Sequence, residues 1–158
     1  MYRRMFPKII TNAANKYTAP IFPKPEYLLQ FDGCSKGNPG LAGAGAVIFN
    51  YENEIWGASK FVGSNCTNNE AEYNGLIMGL EKALELGIKD LSVEGDSLLI
   101  IKQMLGEYKV KSETLFTLYD KAKGLEKQFN SISFTHIYRT SNKRADALSN
   151  LCLNGLFN

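Results

Sequence analysis

The chain has few cysteines, and none is paired in sequence. Cys34, Cys66 and Cys152 are widely spaced, with no C-x-x-C among them. Neither a structural zinc site nor a dithiol redox centre is signalled. An odd set of thiols fits a reduced, intracellular protein. Long apolar runs are absent too. None approaches the ~20 residues that a membrane span needs, so no membrane partner is expected. Charge of one sign is also scarce. The formal net charge is +2, which argues against a histone-like or tail-driven nucleic-acid binder but leaves room for a local basic patch. There is no internal repeat and no low-complexity tract.

What is present is ordinary for one globular domain: 158 residues, 44% hydrophobic and 22% charged. The charge is unevenly placed. Residues 1–26 hold Arg3, Arg4, Lys8, Lys16 and Lys24 against Glu26 alone, which leaves 13 of the 18 basic and 15 of the 16 acidic side chains to the rest. Arg3 and Arg4 beside Met5, Phe6, Ile9 and Ile10 have the composition of a mitochondrial transit peptide, although serine is absent and Pro7 interrupts any early helix. The alternative is a solvated leader. The location expected is the mitochondrion with targeting, and nucleus or cytoplasm without it. Pro20, Pro23 and Pro25 make an extended linker, and a folded domain is expected over 27–158.

The most informative stretch is Phe31-Asp32-Gly33-Cys34-Ser35-Lys36-Gly37-Asn38-Pro39-Gly40. The apolar run Tyr27–Phe31 predicts a buried strand that delivers Asp32 to its C-terminal edge, followed by a turn-rich loop. Backbone N–H groups in such a loop suit an anion. An acid beside a phosphate-suited loop makes sense when a metal cation lies between them, so a metal-dependent enzyme acting on phosphodiesters is the first reading.

Leu41–Asn50 and Glu54–Val62 predict two more strands in an antiparallel meander. Thr67–Leu86 has helical apolar spacing, with Thr67 or Asn68 as cap and Gly87 as stop. A short strand, Asp90–Asp96, ends in an acid. Helices follow over 98–105 and 112–129, then a fifth strand over 131–138 and a last helix from Asn142 to about Asn154. The pattern predicts an α/β fold: a five-stranded mixed sheet, its first three strands antiparallel, flanked by helices.

Four acids stand out. Asp32 and Asp96 are strand-end carboxylates, where ligand chemistry in such sheets sits. Glu72 shares the inward face of its helix with Leu76, whereas Glu70 reads as a surface acid complementing the helix dipole. Asp146 lies between Ala145 and Ala147. Each alone has a bland reading: a turn cap for Asp96, a solvated helix acid for Glu72, pairing with Lys143 or Arg144 for Asp146. A pair of hard divalent cations wants several carboxylates converging from separate elements, and the joint occurrence of these four in one chain order weakens the bland readings.

The stretches FDGCSKGNPGLAGAGAVIF, TNNEAEYNGLIMGLEKAL, VEGDSLLIIKQMLGEYKVK and HIYRTSNKRADALSN resemble the four signature blocks of the type I ribonuclease H family, nearest its plant-like and archaeal-like branch. The resemblance runs from about Tyr27 to Leu151. It implies a ribonuclease H-like fold and a monomeric endonuclease that cleaves the RNA strand of RNA–DNA hybrids, leaving 5′-phosphates. It implies two Mg²⁺ ions, with Mn²⁺ as a substitute, held by Asp32, Glu72, Asp96 and Asp146, with Asp32 bridging. Substrate contacts are implied for Gly33, Cys34, Ser35, Gly37, Asn38, Asn68 and Asn69 in the hybrid's minor groove, for Thr67 at a DNA phosphate, and for Arg139 in phosphate or product handling. The RNA strand would be told from DNA by its 2′-hydroxyl. Two departures from the bacterial pattern stand out. The loop before Asp146 holds no histidine, the sole one being His136, and of the bacterial basic handle only Lys109 and Lys111 remain. A non-catalytic double-stranded nucleic-acid binder, or a related nuclease acting on double-stranded RNA, are the alternatives.

Overall fold

The computed structural model describes residues 24–155. The leader and targeting readings concern residues 1–26, of which 1–23 lie outside the described residues. The elements run β1 (Tyr27–Lys36), β2 (Gly40–Asn50), β3 (Asn53–Cys66), α1 (Asn68–Glu85), β4 (Asp90–Gly95), α2 (Leu98–Met104), α3 (Glu113–Glu126), β5 (Ser131–His136) and α4 (Lys143–Leu151), with a 3-10 turn at Arg139–Ser141. The five strands form one sheet in the order β3-β2-β1-β4-β5. The first three are antiparallel, and β4 and β5 run parallel to β1.

Strand alternation sorts the side chains between two faces. Leu29, Phe31, Ala46 and Ile48 join Tyr73, Leu76 and Leu80 of α1 and Ile100 and Met104 in the main core. The other face carries a small cluster of Val47, Ala145 and Leu148 under α4. Two glycines let the helices sit directly on strand backbone. A Cβ on Gly33 would lie 2.2 Å from the Glu72 backbone nitrogen, and one on Gly45 would lie 2.5 Å from both the Ala145 oxygen and the Ser149 nitrogen.

The element order is as the sequence predicts, but several boundaries differ. β1 does not end at Asp32; it continues to Lys36, because Gly33–Lys36 pair with Leu41–Ala44 of β2. The supposed loop shrinks to a turn at residues 37–39, where Gly37 (φ 120°) and Asn38 (φ 34°) take the left-handed region. Asp32 still marks an edge, since pairing of β1 with β4 stops at Phe31 opposite Gly95. Only the antiparallel partner carries the strand onward. β5 ends at His136 and α3 at Glu126, both earlier than the apolar pattern suggests. Glu70 is not a free surface acid: it closes a capping box with Thr67, each side chain bonding the other's backbone N–H.

Candidate active site

Asp32 is the first β1 residue beyond the parallel pairing, and Asp96 is the first residue beyond β4. They flank the point where the sheet changes from antiparallel to parallel neighbours, which opens a crevice at strand ends. Glu72 enters from α1, which is seated on Gly33. One oxygen from each of Asp32, Glu72 and Asp96 falls within a mutual distance of 4.8 Å. Asp32 and Glu72 are buried, at 5% and 7% exposure.

Three close carboxylates, two of them buried, cannot all ionise at ordinary pH without a counter-charge. Burial first, then the charge of Asp96 and a hydrogen bond with Asp146, raise the Asp32 carboxyl to about 7. Burial, then the charges of Asp32 and Asp96, push Glu72 well above the usual carboxylate range. Glu72 Oε2 is buried with no hydrogen-bond partner. An unpartnered carboxylate oxygen inside an all-oxygen cluster fits a hard divalent cation, which takes carboxylate ligands.

Asp146 is not in the tight triad. It is half-buried on α4 beside Asp32, and its carboxylate lies 3.5 Å from the Arg139 guanidinium rather than pairing with Lys143 or Arg144. Arg144 instead makes a forked pair with Glu54. Arg139 is 80% exposed. His136 Nε2 lies 3.1 Å from the Asp96 backbone oxygen, so its ring borders the site without touching a carboxylate oxygen.

The polar residues of the first hairpin and α1 are stitched together. Ser35 N–H donates to Asn68 Oδ1 (2.6 Å), Asn68 N–H donates to Asn38 Oδ1 (2.9 Å), and the Ser35 hydroxyl donates to Cys66 O (2.7 Å). Asn69 is half-buried beside them, and Thr67 is the helix cap. Two further residues of the segment also touch helices. Gly33 lies under α1, and the Cys34 thiol donates to Ser149 O of α4 at 3.4 Å.

Two site residues escape a sequence reading. Ser149 is fully buried, with Oγ 2.8 Å from Asp146 O and 3.4 Å from Asp32 Oδ2. Asn142, also fully buried, donates to Phe31 O and to Asp96 Oδ2. Ser149 sits one turn after Asp146, and that spacing is its only sequence signal. Asn142 looks like an ordinary helix cap.

Comparison with known proteins gives first a broad class. A family model described as "Reverse transcriptase-like" matches residues 30–152. A "Bifunctional protein" of Mycobacterium tuberculosis is 42% identical over 124 residues, 78% of this chain and 34% of that protein. The "Ribonuclease HI" of Halobacterium salinarum is 39% identical over 123 residues, 78% of this chain and 62% of that protein. The chain therefore spans about a third of the first relative's length and less than two thirds of the second's. The crystal structure of LC11-RNase H1, an enzyme isolated from compost, in complex with an RNA/DNA hybrid superimposes with a TM-score of 0.78 at 36% identity, covering 84% of this chain and 99% of that one. The chain belongs to the ribonuclease HI family.

Proposed function

We propose that this chain is an endoribonuclease that cleaves the RNA strand of RNA–DNA hybrids, with two Mg²⁺ ions held by Asp32, Glu72, Asp96 and Asp146. The observation that carries this is the carboxylate triad, two of its acids buried, with its unpartnered Glu72 oxygen. Divalent cations held by these acids would supply an activated water and neutralise charge on the leaving oxygen. The protein's own part is geometric. Asp32, held by β2 where the pairing with β4 has just ended, lies within reach of Glu72, Asp96 and Asp146. Asp146, at the rim and less buried, is the acid best able to change partners, and Arg139 beside it is placed to meet a phosphate.

The hairpin–α1 cluster supports a contact with the hybrid's minor groove. Backbone N–H groups hold the side-chain oxygens of Asn38 and Asn68. Their NH₂ groups then remain to donate to 2′-hydroxyls and base edges. A neighbour of the same fold is solved on an RNA/DNA hybrid, which supports this substrate class.

The test is hydrolysis of a labelled RNA–DNA hybrid, a double-stranded RNA and a DNA duplex, in Mg²⁺ and in EDTA, with Asp96→Asn alongside. Cleavage of the hybrid's RNA strand alone, abolished by EDTA and by the substitution, is expected. Binding of the hybrid without cleavage in Mg²⁺ or Mn²⁺ would leave only a binding module, and preferred cutting of double-stranded RNA would reassign the substrate.

A further inference from the structure

Asn142 is completely buried where α4 begins. A residue there normally caps its own helix with its side chain, but Asn142 makes no such bond. Its Nδ2 instead donates to Phe31 O at 2.9 Å and to Asp96 Oδ2 at 3.3 Å. Its Oδ1 is buried without a partner. An uncapped helix start and an orphaned amide carbonyl are both destabilising, and serine at this position would relieve both. What the amide supplies is two N–H groups on one nitrogen, enough to bridge two acceptors at once.

Those acceptors lie on two different elements. Phe31 immediately precedes Asp32 on β1, and Asp96 ends β4. The Asn142 backbone oxygen also accepts from Asp146 N–H at 3.0 Å, which hangs the first turn of α4 from the same residue. One buried side chain therefore ties together the segments that carry three of the four acids. Given the two-cation reading of those acids, on which this rests, we propose that Asn142 is a positioning residue: it locks the Asp96 carboxylate and the spacing of β1, β4 and α4 into the arrangement that binds the divalent cations.

Asn142→Ser tests this, because serine caps a helix well but is too short to bridge both acceptors. Mn²⁺ binding to the substrate-free protein, read by calorimetry, is expected to weaken about tenfold or more. The kcat on a hybrid falls comparably, while KM for the hybrid stays within about twofold. Mn²⁺ affinity and kcat both within about twofold of wild type would overturn the proposal. If the serine variant does not fold, the wild-type Asn142 side-chain NH₂ resonances decide. They must shift on adding Mg²⁺ and in Asp96→Asn, and resonances unmoved by both overturn it equally. A wild type that neither binds Mn²⁺ nor cuts the hybrid defeats the functional reading itself. A competent wild type beside an unimpaired Asn142→Ser defeats only the role of Asn142.

Discussion

Glu72 shows how a side chain can be poorly placed for stability and well placed for chemistry. Its Oε2 is buried without a partner, and Asp32 and Asp96 lie within reach. Removing its charge should therefore stabilise the metal-free protein. Glu72→Gln is expected to raise unfolding stability in EDTA at pH 8 by about 1–2 kcal/mol while lowering hybrid cleavage by about 100-fold or more. Urea denaturation and initial rates measure the two effects. A less stable glutamine variant would mean that the protein itself already compensates the charge. At this scale the acids were legible because their types and order are distinctive. Asn142 and Ser149 were not, because a cap and a helix serine are commonplace until the tertiary fold buries them against Asp96 and Asp32.

Elements reach the site through glycine. α1 can deliver Glu72 only because Gly33 leaves no side chain between helix and strand. Gly33→Ala forces a Cβ to within 2.2 Å of backbone nitrogen, where no side chain can yield. A loss of about 3 kcal/mol is expected, with activity falling as α1 shifts. Gly124, inside α3 with nothing within 4 Å, is the contrast: Gly124→Ala should stabilise by about 0.5–1 kcal/mol through helix propensity. Denaturant midpoints of the two variants moving the same way would contradict this account. Strand periodicity and helix caps gave the element order from the sequence. The true length of β1 did not show, because a glycine-rich strand looks like a loop until a partner such as β2 supplies its hydrogen bonds.

For the whole molecule, the acid cluster is expected to make stability depend on pH and, on the proposed function, on metal as well. The folded protein holds the Asp32 proton up to about 7, against an ordinary 3.8, and Glu72 is shifted in the same direction. Folding thus favours the protonated form. Its contribution is complete below the ordinary carboxylate pKa and is lost as pH rises toward and through 7. In EDTA the melting temperature is expected to fall between pH 5 and pH 8, by a free energy on the order of a few kcal/mol. Mg²⁺ should flatten the fall, and Glu72→Gln should reduce it. A melting temperature that rises over this window in EDTA would show that the acids are not left uncompensated.

The sequence by itself determined the class of fold and the order of the elements, because those follow from hydrophobic period and caps, and its resemblance to a known family singled out the four acids. Only the tertiary structure decided which acids share the tight cluster. It drew Asp32, Glu72 and Asp96 together, left Asp146 at the rim beside Arg139, and turned Gly33 and Cys34 toward helices. It also recruited Asn142. These outcomes depend on distances between residues far apart in the chain, set by how closely α1 and α4 pack on the sheet, and no local pattern encodes such distances.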